Sequence, residues 1–342
     1  MNYIQINDIK SFVSSFELSD KLANAHFLIT GATGLIGSTL VNCLLALNNG
    51  IKITCPIRNI EKAKNIFEEN ISNLNLIECD LIQFLDNLST ENNFDYIIHC
   101  ASPTSGTYMT QHPVETYELA IESTMKILKY SLETKIKGIV YVSSLEYYGQ
   151  ILNDHPITED IVGLIDMQAS RSCYPLGKQA AEYLCFAYAQ EYGINVKIAR
   201  LTQTFGAGVD INDNRVFAQF ARSIINSEDI ILHTTGESSK PYCYTIDCIS
   251  AILYILINGN KGEAYNVANE NTYTSIRDMA EFLRENFNPK VNVRIELNDN
   301  LGYAPVTKLN LSTKKIQSLG WSPKYDLFMM YTNLIKSMKN ES

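Results

Sequence analysis

From His26 to Arg200, short apolar runs alternate with longer amphipathic stretches. Six runs read as strands: "HFLIT", "IKITCPI", "LNLIEC", "FDYIIHC", "GIVYVSS" and "NVKIAR". They are apolar nearly throughout, not at every second position, as suits a parallel sheet covered on both faces. Helical stretches lie between them, the clearest from about Val114 to Thr134. Strand alternating with helix predicts a doubly wound α/β sheet over 25–204. After Arg200 the pattern loosens. "NRVFAQFARSII" reads as a helix, "DIILH" and "EAYNVA" as short strands, and "SIRDMAEFLRENF" as a helix with Thr274 or Ser275 as N-cap. This stretch looks too irregular to continue the sheet. Residues 205–342 are therefore expected to form mainly a smaller mixed α/β lobe over the sheet's carboxyl edge, with some segments free to return to the first domain. Residues 1–24 read as a helical extension with no assigned function.

Composition narrows the class. Of 342 residues, 46% are hydrophobic and 19% charged, a globular balance that argues against disorder. A net charge of -9 disfavours nonspecific nucleic-acid binding but leaves room for a local basic pocket. The start, "MNYIQINDIKSFVSSF", lacks a basic n-region followed by an apolar stretch, and the most apolar run, "AILYILI", is far short of the roughly 20 residues that span a bilayer. Eight cysteines without a C-x-x-C pair predict reduced core thiols of a cytoplasmic protein. Five isolated histidines offer no metal-binding spacing.

The first strand leads into a glycine-rich turn. In "FLITGATGLIGSTLVNCLL", Gly31, Gly34 and Gly37 follow a strand and open a helix. The first permits a tight turn, the second lets backbone approach a pyrophosphate, and the third lets helix pack on strand. The helix N-terminus offers free N–H groups and a positive dipole end to the phosphates, so a dinucleotide is expected here. An NAD site usually has an acidic residue at the end of the second strand. Here that strand runs into "CPIRNIEKAK", and Arg58 stands where a 2′-phosphate could be paired, which favours NADP over NAD. Asp80, after the third strand, could bond the adenine; a capping aspartate would look identical.

"SRSCYPLGKQAAEYLCFAYAQEYG" sets Tyr174 and Lys178 four apart on one helix face. Of 20 tyrosines, only Tyr174 has a lysine at that offset. Bringing a phenol from about 10 to about 7 requires some 4 kcal/mol of differential stabilisation. A partly desolvated ammonium can supply much of it. The phenolate could then take a substrate proton while hydride leaves the same carbon, with Ser144, at the end of the fifth strand, orienting the hydroxyl. Singly, each has an ordinary reading as packed aromatic, surface charge or cap; together, and downstream of the glycine turn, they point to one site.

These motifs give the chain a family resemblance. "TGATGLIG", "SSLEYYG" and "YPLGK" resemble the extended short-chain dehydrogenase/reductase family, the nucleotide-sugar epimerases and dehydratases, over roughly Phe27 to Phe287. The resemblance implies a Rossmann fold, a Ser144–Tyr174–Lys178 triad, a C-terminal lobe that grips a nucleoside diphosphate sugar, and a homodimer through the helix bearing the YxxxK segment and its neighbour. It implies cofactor contacts from Gly31, Thr33, Gly34, Leu35, Ile36, Gly37, Arg58, Asp80, Leu81, Cys100, Ala101, Ser102, Tyr174 and Lys178. Substrate contacts are implied at Ser105, Ser144, Gln203, Arg215 and Lys240. No metal, membrane or nucleic-acid partner is expected.

Within the family, "HCASPTSGTYM", "RSCYPLGK" and "INDNRV" look like UDP-glucuronate decarboxylases. There Arg215 would meet the nucleotide's phosphates. Decarboxylases and 4,6-dehydratases both carry a glutamate at the place of Glu146, which in dehydratases removes the C5 proton after C4 is oxidised. Desolvation would make such a glutamate a better base. Three departures stand out. Leu145 replaces an aspartic acid or serine, Lys240 aligns with an arginine that holds a carboxylate, and Gln203 replaces an asparagine. A lysine is a point charge, not a bidentate fork, which weighs against decarboxylation. The expectation is an NAD(P)-dependent nucleotide-sugar epimerase or dehydratase. A 4-keto reductase, a decarboxylase-like enzyme and a nicotinamide-binding sensor are the alternatives, and Glu146 could instead be a structural carboxylate held by backbone N–H groups.

Overall fold

Six strands form where the apolar runs lie: β1 (His26–Thr30), β2 (Lys52–Ile57), β3 (Leu74–Glu78), β4 (Tyr96–His99), β5 (Gly138–Ser144) and β6 (Val196–Leu201). The computed structural model describes residues 1–67, 74–298 and 306–340. Shorter strands follow: β7 (Gln203–Phe205), β8 (Ile230–Leu232), β9 (Ser239–Tyr244), β10 (Ala264–Val267), β11 (Asn269–Ser275) and β12 (Val293–Ile295). Seven line up in the order β10-β6-β5-β4-β1-β2-β3, every pair parallel.

Both faces of this sheet are covered, which is why its strands are apolar throughout. Successive side chains of a strand point to opposite faces. On β5, Ile139 and Tyr141 pack against the helices Pro113–Glu133 and Cys173–Tyr192, whereas Val140 and Val142 join the core beneath Leu35–Ala46 and Thr245–Asn258. The chain order reverses between β1 and β4, so the crevice for a ligand opens at their carboxyl ends.

One segment after Arg200 returns to the first domain, although the stretch reads as too irregular to continue the sheet. "EAYNVA" does not stay in the second lobe: β10 joins the main sheet beside β6, with Tyr265 in register with Ala199. The helix Thr245–Asn258, buried along most of its length, packs on the sheet just before it. Extending the sheet there buries Tyr265 and Val267 almost completely, and that burial outweighs the irregularity of the intervening sequence.

The remaining C-terminal segments form the smaller lobe. It holds a three-stranded sheet, β11-β9-β7, a β12-β8 pair, and the helices Val216–Asn226, Ile276–Phe287 and Leu327–Lys339. Ser275 caps Ile276–Phe287 by accepting the Asp278 N–H at 2.9 Å. The opening helix, Tyr3–Ser15, begins with a reciprocal cap between Asn2 and Gln5. It is fastened to the lobe, with Asn2 Nδ2 donating to Ser337 Oγ at 2.7 Å and the Tyr244 hydroxyl donating to Asp8 at 2.6 Å.

Candidate active site

Gly31 follows β1 with φ at +70°, and a Cβ there would lie 2.8 Å from the Ala101 nitrogen. A Cβ on Gly37 would come within 2.3 Å of the Gly31 carbonyl oxygen. Both contacts exclude a side chain. Gly34 is the N-cap of Leu35–Ala46 and supplies no capping side chain, so the first-turn N–H groups, Ile36 among them, remain open to an external acceptor. Bare glycine backbone and uncapped N–H groups fit a dinucleotide pyrophosphate. Beside them lies a cavity of about 450 Å³, lined by Thr33, Gly34 and Leu35 on one wall and by Met1, Gln5, Asp8 and Arg215 on the other. The N-terminal helix, given no role by its sequence, is thus part of the site's wall.

Arg58 is exposed just past the end of β2, and Lys62, one turn on, faces the cavity. Asp80 caps the helix Leu81–Asp86, accepting the Ile82 N–H at 2.8 Å. Cys100, Ala101 and Ser102 run from β4 over Gly31 toward Tyr174. The Ala101 N–H donates to Thr30 Oγ1 at 3.2 Å, and Ser102 reaches the Tyr174 hydroxyl.

Tyr174 and Lys178 sit one turn apart on Cys173–Tyr192, with the ammonium 5.5 Å from the phenol ring centroid. The phenol lies within hydrogen-bonding reach of Ser144 and Ser102. Ser144 ends β5 and also accepts the Glu146 N–H at 3.2 Å, so one hydroxyl both starts the next turn and faces the phenol. Lys178 is buried, donates to the Val142 carbonyl at 2.8 Å, and is pulled down by burial to about 8. Burial, aided by the Glu146 charge, pushes Tyr174 up to about 12, against the downward pull of Ser144, Arg171 and Ser102.

Glu146 lies in the short turn Leu145–Tyr148 after β5. Its carboxylate is held by a side chain: Arg171 Nη2 donates to Oε1 at 2.8 Å. The two side chains are 40% and 38% exposed, so the base is less enclosed than the desolvation argument required. Leu145 points the other way, into an apolar cluster with Tyr148, Ile151, Leu309 and Leu311 that ties the turn to the second lobe. Lys240, on β9, is close enough to Glu146 to feel its charge; burial pulls its ammonium down and Glu146 pushes it back up. Gln203 opens β7 in register with Tyr242, on the face shared with Lys240. Arg215 reaches the cavity while forked onto Asp213, with Nε 3.0 Å from both carboxylate oxygens. Ser105 caps the helix Gly106–Gln111, accepting the Tyr108 N–H at 3.3 Å.

Arg171 is the residue that sequence reasoning missed. It stands three positions before Tyr174 in the turn Ser170–Ser172, inside the quoted "RSCYPLGK", but nothing in spacing says it reaches 25 residues back to Glu146. Among the described residues no group of three or more His, Cys, Asp or Glu could hold a metal ion, and no helix is long and apolar enough to cross a membrane.

A glycine cradle at the switch point of a parallel sheet, with a tyrosine, lysine and serine converging beside it, defines a nicotinamide-dependent enzyme of the Rossmann class. The chain belongs to the NAD dependent epimerase/dehydratase family, whose model matches residues 27–268. It is 29% identical to UDP-glucuronic acid decarboxylase 6 of Arabidopsis thaliana over 309 residues, 89% of this chain and 86% of that protein. It is 28% identical to UDP-glucuronic acid decarboxylase 1 of Danio rerio over 261 residues, 76% of this chain and 60% of that one. Among solved structures, UDP-glucose 4-epimerase of Thermotoga maritima shares the fold with a TM-score of 0.78 at 21% identity, covering 92% of this chain and 98% of that one. A dTDP-glucose 4,6-dehydratase of Bacillus anthracis in complex with NAD does so with a TM-score of 0.74 at 18% identity, covering 93% and 97%.

Proposed function

We propose that the protein acts on a UDP-sugar, epimerising or dehydrating it through a 4-keto intermediate. The observation supporting this is the convergence of Tyr174, Ser144, Lys178 and Glu146 at the carboxyl end of β5. A bound nicotinamide dinucleotide would supply a hydride acceptor, and Ser144, Ser102 and Arg171 are the groups that favour the Tyr174 phenolate against its burial. Tyr174 takes the proton of the C4 hydroxyl, Ser144 orients that hydroxyl, and Lys178, fixed by Val142, keeps a positive charge under the ring. A C4 ketone acidifies the neighbouring C–H bond, and Glu146 is the carboxylate available to remove that proton. Leu145 offers no acid to a leaving group, which tilts the outcome toward epimerisation, or toward a dehydration assisted by Glu146 itself or by water.

Two further assignments belong to this reading. Arg58 and Lys62 suit a 2′-phosphate, so NADP is taken as well as NAD. A homodimer forms through Pro113–Glu133 and Cys173–Tyr192, whose outer faces expose Val114, Tyr117, Tyr183 and Phe186. A second reading, decarboxylation of a UDP-uronate, is favoured by Arg171 and Lys240 beside Glu146 and by the Arabidopsis relatives. Mass spectrometry after incubation with UDP-sugars separates the outcomes: unchanged mass, loss of water or loss of carbon dioxide. Glu146→Gln should still reduce the bound cofactor yet cease to incorporate solvent deuterium into the sugar. Full incorporation would reject the role given to Glu146.

A further inference from the structure

The guanidinium of Arg171 is held on two sides and left unpaired on a third. Nη2 donates to Glu146, and the group lies 5.2 Å from the centroid of the Tyr174 ring. Nη1 is buried with no hydrogen-bond partner among the described residues. An unmade bond at a buried donor is costly, more so on a charged group, and native proteins keep such donors where a water or ligand completes them. The guanidinium fork is rigid and planar, so this donor is held at a fixed offset from the carboxylate and the phenol.

We propose that Arg171 is a positioning and specificity residue: Nη2 aims Glu146 at the sugar ring, and Nη1 donates to an oxygen of the substituent on C5. The inference rests on the reading above, in which Tyr174 addresses the C4 oxygen and Glu146 the hydrogen on the next carbon. A side chain touching both of those groups reaches beyond them to whatever that carbon carries. The local charge narrows the choice, because Arg171 and Lys240 are two cations about the single carboxylate of Glu146. Such a surplus favours a strong acceptor, and C5, the carbon whose hydrogen Glu146 addresses, bears a carboxylate in a uronate. A carboxylate there would gain a charge-assisted bond, a hydroxyl a weaker one, and a pentose, lacking the substituent, none.

The test is binding of UDP, UDP-xylose and UDP-glucuronate to NADH-loaded protein, read by calorimetry, since the reduced cofactor takes no hydride from the sugar. Wild type should bind UDP-glucuronate about 10- to 100-fold more tightly than UDP-xylose. In Arg171→Gln that ratio should fall to within roughly threefold while the Kd of UDP is unchanged. Arg171→Met reads the same ratio should the Gln variant not fold. A wild-type ratio near one, or a ratio that survives the substitution, overturns the assignment. So does a loss of UDP binding in step with the sugars, which marks a merely structural role. Failure of wild type to bind UDP at all defeats the UDP-sugar reading instead, and the two failures are told apart by that one titration.

Discussion

Two arginine–glutamate pairs flank the turn after β5, and they differ in every respect that matters. Arg200 and Glu182 are each only 5% exposed. Arg200 sends Nε and Nη2 to the Glu182 carboxylate and Nη1 to the Tyr148 hydroxyl at 3.0 Å and the Glu159 carbonyl at 2.7 Å. Ser143 adds a further donor to Glu182, and the guanidinium carbon lies over the Tyr147 ring, 3.5 Å from its centroid. Arg171 and Glu146, in contrast, are more than a third exposed, share one bond, and leave a donor unused. A buried pair bonded at every nitrogen of its guanidinium is built as scaffold; it fixes Ser143 and Tyr148, on either side of Ser144 and Glu146, against the helix that carries Tyr174. The unsaturated pair has capacity to spare. Satisfaction of hydrogen bonds, more than charge, separates scaffold from site here.

The largest expected effect breaks the scaffold pair. Glu182→Gln leaves Arg200 buried without its counter-charge and should cost about 3–5 kcal/mol in urea unfolding, whereas Arg171→Gln should change stability by about 1 kcal/mol or less. Equal losses would erase the distinction.

A buried carboxylate with no arginine sharpens it. Asp8 has the Tyr244 hydroxyl for a partner and Asp247 as a like-charged neighbour, and burial pushes it up to about 7. Its unfolded value is near 3.9, so between about pH 4 and 7 the folded state holds a proton that the unfolded state has lost. The stability it contributes is complete below about pH 4 and is lost as pH rises through 7. Asp8→Asn should therefore flatten the unfolding profile and gain on the order of 2–4 kcal/mol at pH 8; Asp247, pushed up to about 6, leaves a smaller slope behind. Parallel profiles for the two proteins would contradict this.

Arg58, exposed past β2, extends the comparison to an arginine on open surface. Arg58→Ala should weaken NADP about tenfold, roughly 1.4 kcal/mol, with NAD unaffected. Equal NADP affinity in both proteins would remove the argument from Arg58.

Much of this architecture was legible in the chain. Buried parallel strands are apolar at every position, so β1 to β6 stand out, and an i, i+4 tyrosine and lysine need only a helix to share a face. β10 was misplaced because four residues in a loose stretch reveal their partner only through register with β6, a contact across more than sixty residues. Arg171 escaped for a related reason. An arginine just ahead of a helix looks like solvated charge until folding brings the β5 turn against it. Local periodicity records which face is apolar; it does not record which polar groups from separate segments meet.

Met1 belongs to the cavity wall beside Gly34. The helix Tyr3–Ser15 and Met1 ahead of it therefore help set the shape of that cavity. A change as remote in sequence as Gln5→Ala would thereby alter the space beside Gly34, so the chain's opening helix and its glycine turn meet at one cavity.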